Sequence, residues 1–517
     1  MKNRGGVGVP MGLKYLIGID LGTTMAKCAI YDSTGQVVAE AQREMEIQYP
    51  RSGEAEQDAY AFHTISCALI KQCVEHARID TREIIALGID SQMGGIMSID
   101  RNFNPVTYYD TPLDSRSAEE NRYMHRKYGD LIIEKNGSIS TYGNKILYWK
   151  KRAEWRDIHK FIQPSGFVAG KLAGLSGDDA FIDESFLCFS GLSDLARSQW
   201  SDELCEKLGV DDGKLPRIVK SDEIIGEVTR EASEDTGLPP GTPICAGCGD
   251  QAAGFLGAGI LSSGQMADVS GTACIFSANV DRFTHDARHK TVACMKSAYG
   301  NSYYLLSVVL GGRTHKWFVD EFFTEERDSV VKGGGDIYAH LDAKAASLPP
   351  GSDGLIAIDY LQGRFFPPAP SIRGLFIGHT WAHNRYHFYR SILESIAYDH
   401  CITKGIIQEL VPELDLKAVT AIGSGANSTF WMQLKADVLQ VPYQNLFRSD
   451  LSTLGIALLA GYATGHFADI ETTVKSIVKT NVKVNPTPGE DAKYTKFITI
   501  YKELFSALKD VYVKISS

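Results

Sequence analysis

Residues 17–32 read IGIDLGTTMAKCAIYD. An apolar run ends at Asp20, a Gly22-Thr23-Thr24 turn follows, and a second apolar run begins around Lys27. Two such runs joined by a glycine-containing turn predict a pair of adjacent strands. A carboxylate at the end of a buried strand is unfavourable unless something pairs with it. The turn presents consecutive N–H groups and two hydroxyls, which together make a small anion-binding concavity. Lys27 brings a cation to the same place. Asp20 repels a phosphate directly but suits Mg2+ held, through water, beside one. The plainer alternative is a hairpin whose glycine only relaxes the turn.

Outward from this pair, VVAEAQREM (37–45) alternates in polarity and predicts a third strand. In QDAYAFHTISCALIKQCVEHAR (57–78), Phe62, Ile65, Leu69, Cys73 and His76 keep the spacing of one helix face. IIALGID (84–90) then predicts a buried strand. Three strands, a helix and a strand open a mixed α/β layer. A topological echo follows residue 262, in QMADVS, a Gly271-Thr272 turn, ACIFSANV and YYLLSVVL (303–310). A helix over 385–410 and a strand in KAVTAIG (417–423) complete it. The expected organisation is a disordered leader, 1–13, and two domains, 14–262 and 263–517.

The whole chain agrees with that division, because 517 residues exceed what one core usually holds. A net charge of −10 excludes sequence-independent nucleic-acid binding, which needs a basic footprint. No apolar stretch approaches the roughly 20 residues of a membrane span. The start, MKNRGGVGVPMG, has no apolar segment of the signal-peptide kind. Ten cysteines are scattered, many in apolar surroundings, which predicts free thiols in a reducing cytoplasm.

Two further segments carry chemistry, and two motifs carry none. In IGSGANSTFWMQLKADVL (422–439) a strand runs through Gly423, Gly425, Ala426, Asn427 and Ser428 into a helix. Glycines there allow close backbone approach, and a helix N-terminus favours an anion; a plain connection is the alternative. Neither a dinucleotide fingerprint nor a P-loop occurs in the sequence. In GCGDQAAGFLGAG (247–259), Asp250 stands between a glycine-rich strand end and a small-residue helix. It is a candidate general base for a substrate hydroxyl, or simply a helix cap. Cys245 and Cys248 form a C-x-x-C without a second ligand pair. His379, His383 and His387 lack the glutamate of a zinc helix and read as loop and cap residues.

Taken in order, these segments resemble the FGGY carbohydrate kinases of the actin-like ATPase superfamily, from about residue 15 to about 465. DLGTT-x-x-K (20–27) is similar to the first phosphate loop, AEQD (55–58) to a stretch common in xylulokinases, and DSQMGGIM (90–97) to the sugar-binding turn. LDSR (113–116) resembles the Asp-x-Arg segment, and 237–259 the segment of the catalytic aspartate. SGTA (270–273) resembles the second phosphate loop, 349–378 the C-terminal signature, and GSGANS (423–428) the adenosine motif.

The resemblance implies two RNase-H-like domains flanking a nucleotide and sugar cleft. It implies ATP and Mg2+ as cofactors, with Asp250 as the base and Asp20 and Asp250 on the metal side. Gly22, Thr23, Thr24, Lys27, Gly271 and Thr272 would position phosphates, and Gly312, Gly425, Ala426, Asn427 and Ser428 the nucleoside. Gln92, Met93, Gly94, Asp114, Arg116, Asp250 and Gln251 would meet the sugar. D-xylulose leads as acceptor. Two departures leave another ketose, a polyol or an aldonate open: Gly94 replaces the usual histidine, and Pro112 the usual tryptophan. A monomer or homodimer with no nucleic-acid or membrane partner is expected. A non-kinase actin-like ATPase and an inactive sugar sensor are the alternatives of other classes.

Overall fold

The computed structural model describes residues 13–271 and 273–516. The leader through residue 12 and Thr272 lie outside the described residues. The opening stretch forms β1 (Tyr15–Leu21) and β2 (Met25–Asp32), paired antiparallel, followed by β3 (Val37–Glu44) on the far side of β2. Helix α1 (Ala59–Ala77) leads to β4 (Ile84–Ser91), which lies parallel to β1. Asp58 caps α1 by accepting from the Tyr60 N–H. Phe62, Leu69 and Cys73 face inward as the spacing predicts, while His76 is exposed: the last turn of α1 runs past the core.

The first sheet is completed by β5 (Ile224–Glu227), β6 (Pro243–Cys245) and the two-residue β7 (Cys248–Gly249), giving the order β5-β6-β4-β1-β2-β3 with β7 also on β4. α2 (Pro164–Ala173) packs on this sheet, and α3 (Asp250–Gly257) starts directly from β7.

The second sheet repeats the plan. Strands β8 (Met266–Ser270) and β9 (Cys274–Val280) form a hairpin across the Gly271 turn, and β10 (Ala293–Lys296) and β11 (Tyr303–Val309) extend it on one side. After α4 (Gly311–Phe322), α5 (Ile337–Ala346) and α6 (Arg385–Leu410), strand β12 (Val419–Ile422) lies parallel to β8. Then come α7 (Thr429–Leu439), β13 (Tyr443–Leu446), α8 (Leu451–Ala463) and β14 (Thr480–Val484). The order is β10-β11-β9-β8-β12-β13-β14. In both sheets a hairpin's first strand sits parallel to a later strand, so the echo legible in the sequence is a true repeat of topology.

α8 departs from that simple division. It belongs to the second half of the chain, yet it packs on β1, β4 and α3 of the first sheet. Gly18 and Gly88, paired across β1 and β4, make the approach possible. A Cβ at Gly18 would lie 1.8 Å from the Thr453 carbonyl oxygen, and one at Gly88 2.7 Å from that of Ile456. No larger residue fits without moving the helix.

Candidate active site

Asp20 and Asp90 occupy matching positions at the C-terminal ends of the parallel pair β1 and β4. Cys248 of β7 pairs with Asp90, which brings Asp250, the first residue of α3, to the same edge. Topology therefore converges three carboxylates from three distant segments. Asp20, Gly22, Thr23, Thr24, Lys27, Asp250 and Gln251 share one cavity of about 250 Å3, with Met25 and Ser452. The Gly22-Thr23-Thr24 turn is closed by Gly22 N–H donating to the Met25 carbonyl at 3.0 Å. Lys27 Nζ, half exposed, stands 3.9 Å from Asp20.

The capping alternative for Asp250 fails, because Gly249 occupies the cap position. The Asp250 carboxylate accepts the Gln251 N–H at 2.7 Å. Burial, then the charge of Asp20, pushes its carboxyl up to about 7, against the pull of that one N–H. Burial also raises Asp20, opposed by the nearby Lys27 cation. Asp90 is fully buried, and neither of its carboxylate oxygens has a hydrogen-bond partner. Burial and the charges of Asp20 and Asp250 hold it well above the usual carboxylate range. Sequence reasoning passed over Asp90. The signal was present in the repeated Gly-Ile-Asp of 18–20 and 88–90, which places two aspartates at the same height once the strands are parallel.

Gln92 is buried beside this edge and donates to Gln57 at 2.6 Å; Gln57 in turn donates to the Thr23 carbonyl at 3.0 Å. The turn after Ser91 is thereby tied to the Gly22-Thr23-Thr24 turn through two amides. The Gln92 amide oxygen is left without a partner. Met93 packs on Gly249, where a Cβ would lie 2.4 Å from its sulfur. Gly94 has φ +86°, a left-handed conformation that a histidine rarely adopts, and a Cβ there would face Thr141 and Pro112.

Asp114 and Arg116 are placed differently. Arg116 donates to Asp114 at 2.8 Å and to Glu56 at 2.5 Å, and the Ala55 N–H adds a bond of 2.8 Å to Asp114. Lys145, itself buried, donates to the Thr111 and Asp114 carbonyls. These charges satisfy one another and brace the loops at 55–57 and 111–116, outside the 250 Å3 cavity.

In the second lobe, Gly425 stands against Ser270, with a Cβ there only 2.5 Å from the Ser270 Cβ, so the turns at 270–273 and 423–428 adjoin. Ser428 caps α7 through the Trp431 N–H and donates to Asp342 at 2.5 Å. Ala426 is buried and its carbonyl accepts from Asn445; Asn427 ends the short turn and is exposed. Gly312, in the first turn of α4, presents its backbone to the Cys274 thiol just past the Gly271 turn. Lys435 pins this region from below, donating to Asp268 at 2.6 Å and Ser270 at 2.7 Å.

The other motifs are structural. All ten cysteines are free, and Cys245 donates to the Ser221 carbonyl. Asn384 and His387 form the capping box of α6, and His383 accepts the Thr380 N–H. Among the described residues no three His, Cys, Asp or Glu side chains form a ready-made metal cage, and no helix is long and apolar enough to cross a membrane.

Two α/β sheets of one topology, with the Gly22-Thr23-Thr24 turn and buried carboxylates at one edge of the first, define a two-lobed α/β protein with an acidic cleft. Residues 15–257 match the N-terminal domain, and 267–464 the C-terminal domain, of the FGGY family of carbohydrate kinases; the chain belongs to that family. It is 26% identical to a xylulose kinase of Bacillus subtilis over 98% of this chain and 99% of that protein. It is also 26% identical to an autoinducer-2 kinase of Yersinia enterocolitica, over 95% and 94%. The crystal structure of ligand-bound xylulose kinase from Lactobacillus acidophilus superposes with a TM-score of 0.87 at 24% identity, covering 97% of this chain and 100% of that one. The protein is thus a carbohydrate kinase that uses ATP and acts on a small sugar or sugar-derived molecule.

Proposed function

We propose that the protein transfers the γ-phosphoryl group of ATP in line to a sugar hydroxyl, with Asp250 as general base and D-xylulose as the leading acceptor. One observation carries the reading: Asp250 shares a 250 Å3 cavity with the Gly22-Thr23-Thr24 turn and has its carboxyl pushed up to about 7. A carboxylate of that basicity accepts a hydroxyl proton near neutral pH far better than an ordinary aspartate does. Thr23, Thr24 and Lys27 position the phosphates from one lobe, and Gly271 with Thr272 from the other. Gly312, Gly425, Ala426, Asn427 and Ser428 surround the nucleoside. Phosphoryl transfer asks mainly for such positioning and charge compensation.

The residues fit Mg2+. Three carboxyls crowd this edge, and the fully buried Asp90 has no hydrogen-bond partner for either oxygen, so a cation held by Asp20 and Asp250 would relieve their mutual repulsion. Mg2+ keeps several waters and needs only one or two carboxylates, so the lack of a closed cage does not argue against it. Asp20 and Asp250 would hold it, and when bound it neutralises charge on the phosphates. Nine of the ten free cysteines are buried, which supports a cytoplasmic setting.

Gln92 and Met93 support a ketose, with Asp114 and Arg116 holding the wall of the acceptor pocket and Gln251 lining the phosphate end. The left-handed Gly94 favours a second reading, in which the acceptor is another ketose, a polyol, an aldonate or a linear autoinducer-like molecule. The histidine usual at this place in the xylulokinase-like pattern is absent here, and the left-handed backbone at Gly94 would strain such a side chain. A coupled ADP-release assay with MgATP across such a panel tests both readings. Acceptor-dependent turnover on D-xylulose, lost in Asp250→Ala, supports the first. Turnover on a different member of the panel supports the second, and equal turnover in Asp250→Ala removes Asp250 as the base.

A further inference from the structure

Of the residues lining the phosphate cavity, Ser452 alone comes from the second half of the chain. It stands in the first turn of α8, the helix built into the first lobe's sheet. Four residues, 447–450, carry the chain from β13 of the second sheet to this helix. That crossing is tightly pinned. Arg448 donates to both Asp450 oxygens, at 2.8 and 2.6 Å, and to the Gly35 carbonyl at 2.9 Å. Tyr31 donates to Asp450 at 2.8 Å and lies 2.7 Å from the Thr453 hydroxyl.

The consequence falls on the start of α8. Asp450 occupies the cap position but makes no capping bond, because Arg448 and Tyr31 take its carboxylate. The first-turn N–H groups are left without a side-chain cap. The Ser452 hydroxyl also has no hydrogen-bond partner among the described residues, although those of Tyr31 and Thr453 beside it are satisfied. Its direction is fixed by α3: a Cβ built on Gly254 would lie 3.5 Å from Ser452 Oγ. Gly254 follows Asp250 by one helical turn and shares its face. Ser452 Oγ therefore packs against the face of α3 that carries Asp250, and both residues line the cavity together with the Gly-Thr-Thr turn. Asp20, Lys27 and Ser452 also line the adjoining cavity of about 440 Å3, so Ser452 marks the boundary between the two.

We propose that Ser452 is a phosphoryl-binding residue, donating its hydroxyl to the terminal phosphoryl group of the nucleotide at the point where the chain crosses between lobes. This rests on the kinase reading above and adds a contact to it. A neutral donor in that place compensates phosphate charge without competing with Lys27, and the open first turn of α8 adds favourable dipole ends behind it.

The test is calorimetric binding of MgADP and of the magnesium complex of the β,γ-imido analogue of ATP to the full chain, as wild type, Ser452→Ala and Ser452→Thr. A hydrogen bond to a charged group corresponds to about tenfold or more in affinity. The alanine variant should lose that factor for the imido analogue while binding ADP within about twofold of wild type, and the threonine variant should recover most of it. Alanine binding both nucleotides as wild type does, or losing both equally, overturns the proposal; equal loss assigns Ser452 a structural role. A wild type that binds neither nucleotide overturns the kinase reading itself.

Discussion

Asp250 shows at the scale of one residue how the group proposed as general base burdens the fold that holds it. Its carboxyl stands near 7 in the folded protein and at the ordinary 3.8 when unfolded. Between those values the folded state binds more protons than the unfolded one, so stability falls as pH rises from about 4 to about 7 and stays reduced above that. Asp250→Asn removes the ionisation and keeps the shape. Its melting temperature should exceed that of wild type by a few degrees at pH 8 and match it near pH 4, while kcat drops by about 10²–10⁴. Scanning fluorimetry at the two pH values checks the sign; a lower melting temperature at pH 8 would mean that the ionised carboxylate stabilises this edge. The same shift predicts that, with no metal or nucleotide bound, the Asp250 carboxyl gives up its proton near pH 7, which a carbon-13 NMR titration of the metal-free protein reads directly. A carboxyl already ionised at pH 5 in that titration would mean that Asp250 is no stronger a base than an ordinary aspartate.

Among the elements, the loops at 55–57 and 111–116 depend on one buried ionic cluster. Glu56, Asp114 and Arg116 each have nearly all of the side chain out of solvent. Arg116→Leu leaves the buried Glu56 and Asp114 without their shared ion-pair partner, and loss of about 3–5 kcal/mol is expected in chemical denaturation. Arg116→Lys should retain less than half of the difference, because an ammonium does not reproduce the two-pronged contact. A wild-type denaturation midpoint in Arg116→Leu would remove the cluster as a brace. This cluster also shows what the sequence could and could not yield. The hairpin at 17–32, the strand at 84–90 and the helix over 385–410 were legible because their periodicity and turns are local. The carboxylate pair Asp20 and Asp90 was half legible, since each ends an apolar run but only the parallel register makes them neighbours. That Arg116 faces Glu56 across 60 residues, or that Ser452 shares a cavity with the Gly22-Thr23-Thr24 turn, leaves no periodic trace. Such contacts follow from how elements pack.

For the whole molecule the decisive feature is α8. Leu454, Ile456 and Leu458 are completely buried, and Gly18 and Gly88 leave room for nothing but this helix backbone over β1 and β4. Without α8 the centre of the first sheet would expose a large apolar face, along with the β1 and β4 positions that it covers. The first lobe is thus completed by residues more than 400 positions downstream of β1, a contact of very high sequence separation whose loop-closure entropy the second lobe must reduce by folding between them. It follows that a chain ending at residue 262 should not form a native lobe. Expressed alone, 1–262 is expected to be aggregated or to keep far-UV circular dichroism while losing the near-UV signal and cooperative melting. Supplying 443–516 in trans, which holds β13, the crossing and α8, should recover part of the cooperative transition, and Gly18→Leu should abolish that recovery by filling the helix's seat. A 1–262 fragment that melts cooperatively with a native near-UV spectrum would show that the sheet buries its face without α8. The crossing at 447–450 would then serve to link two lobes already able to fold apart, rather than to finish the first of them.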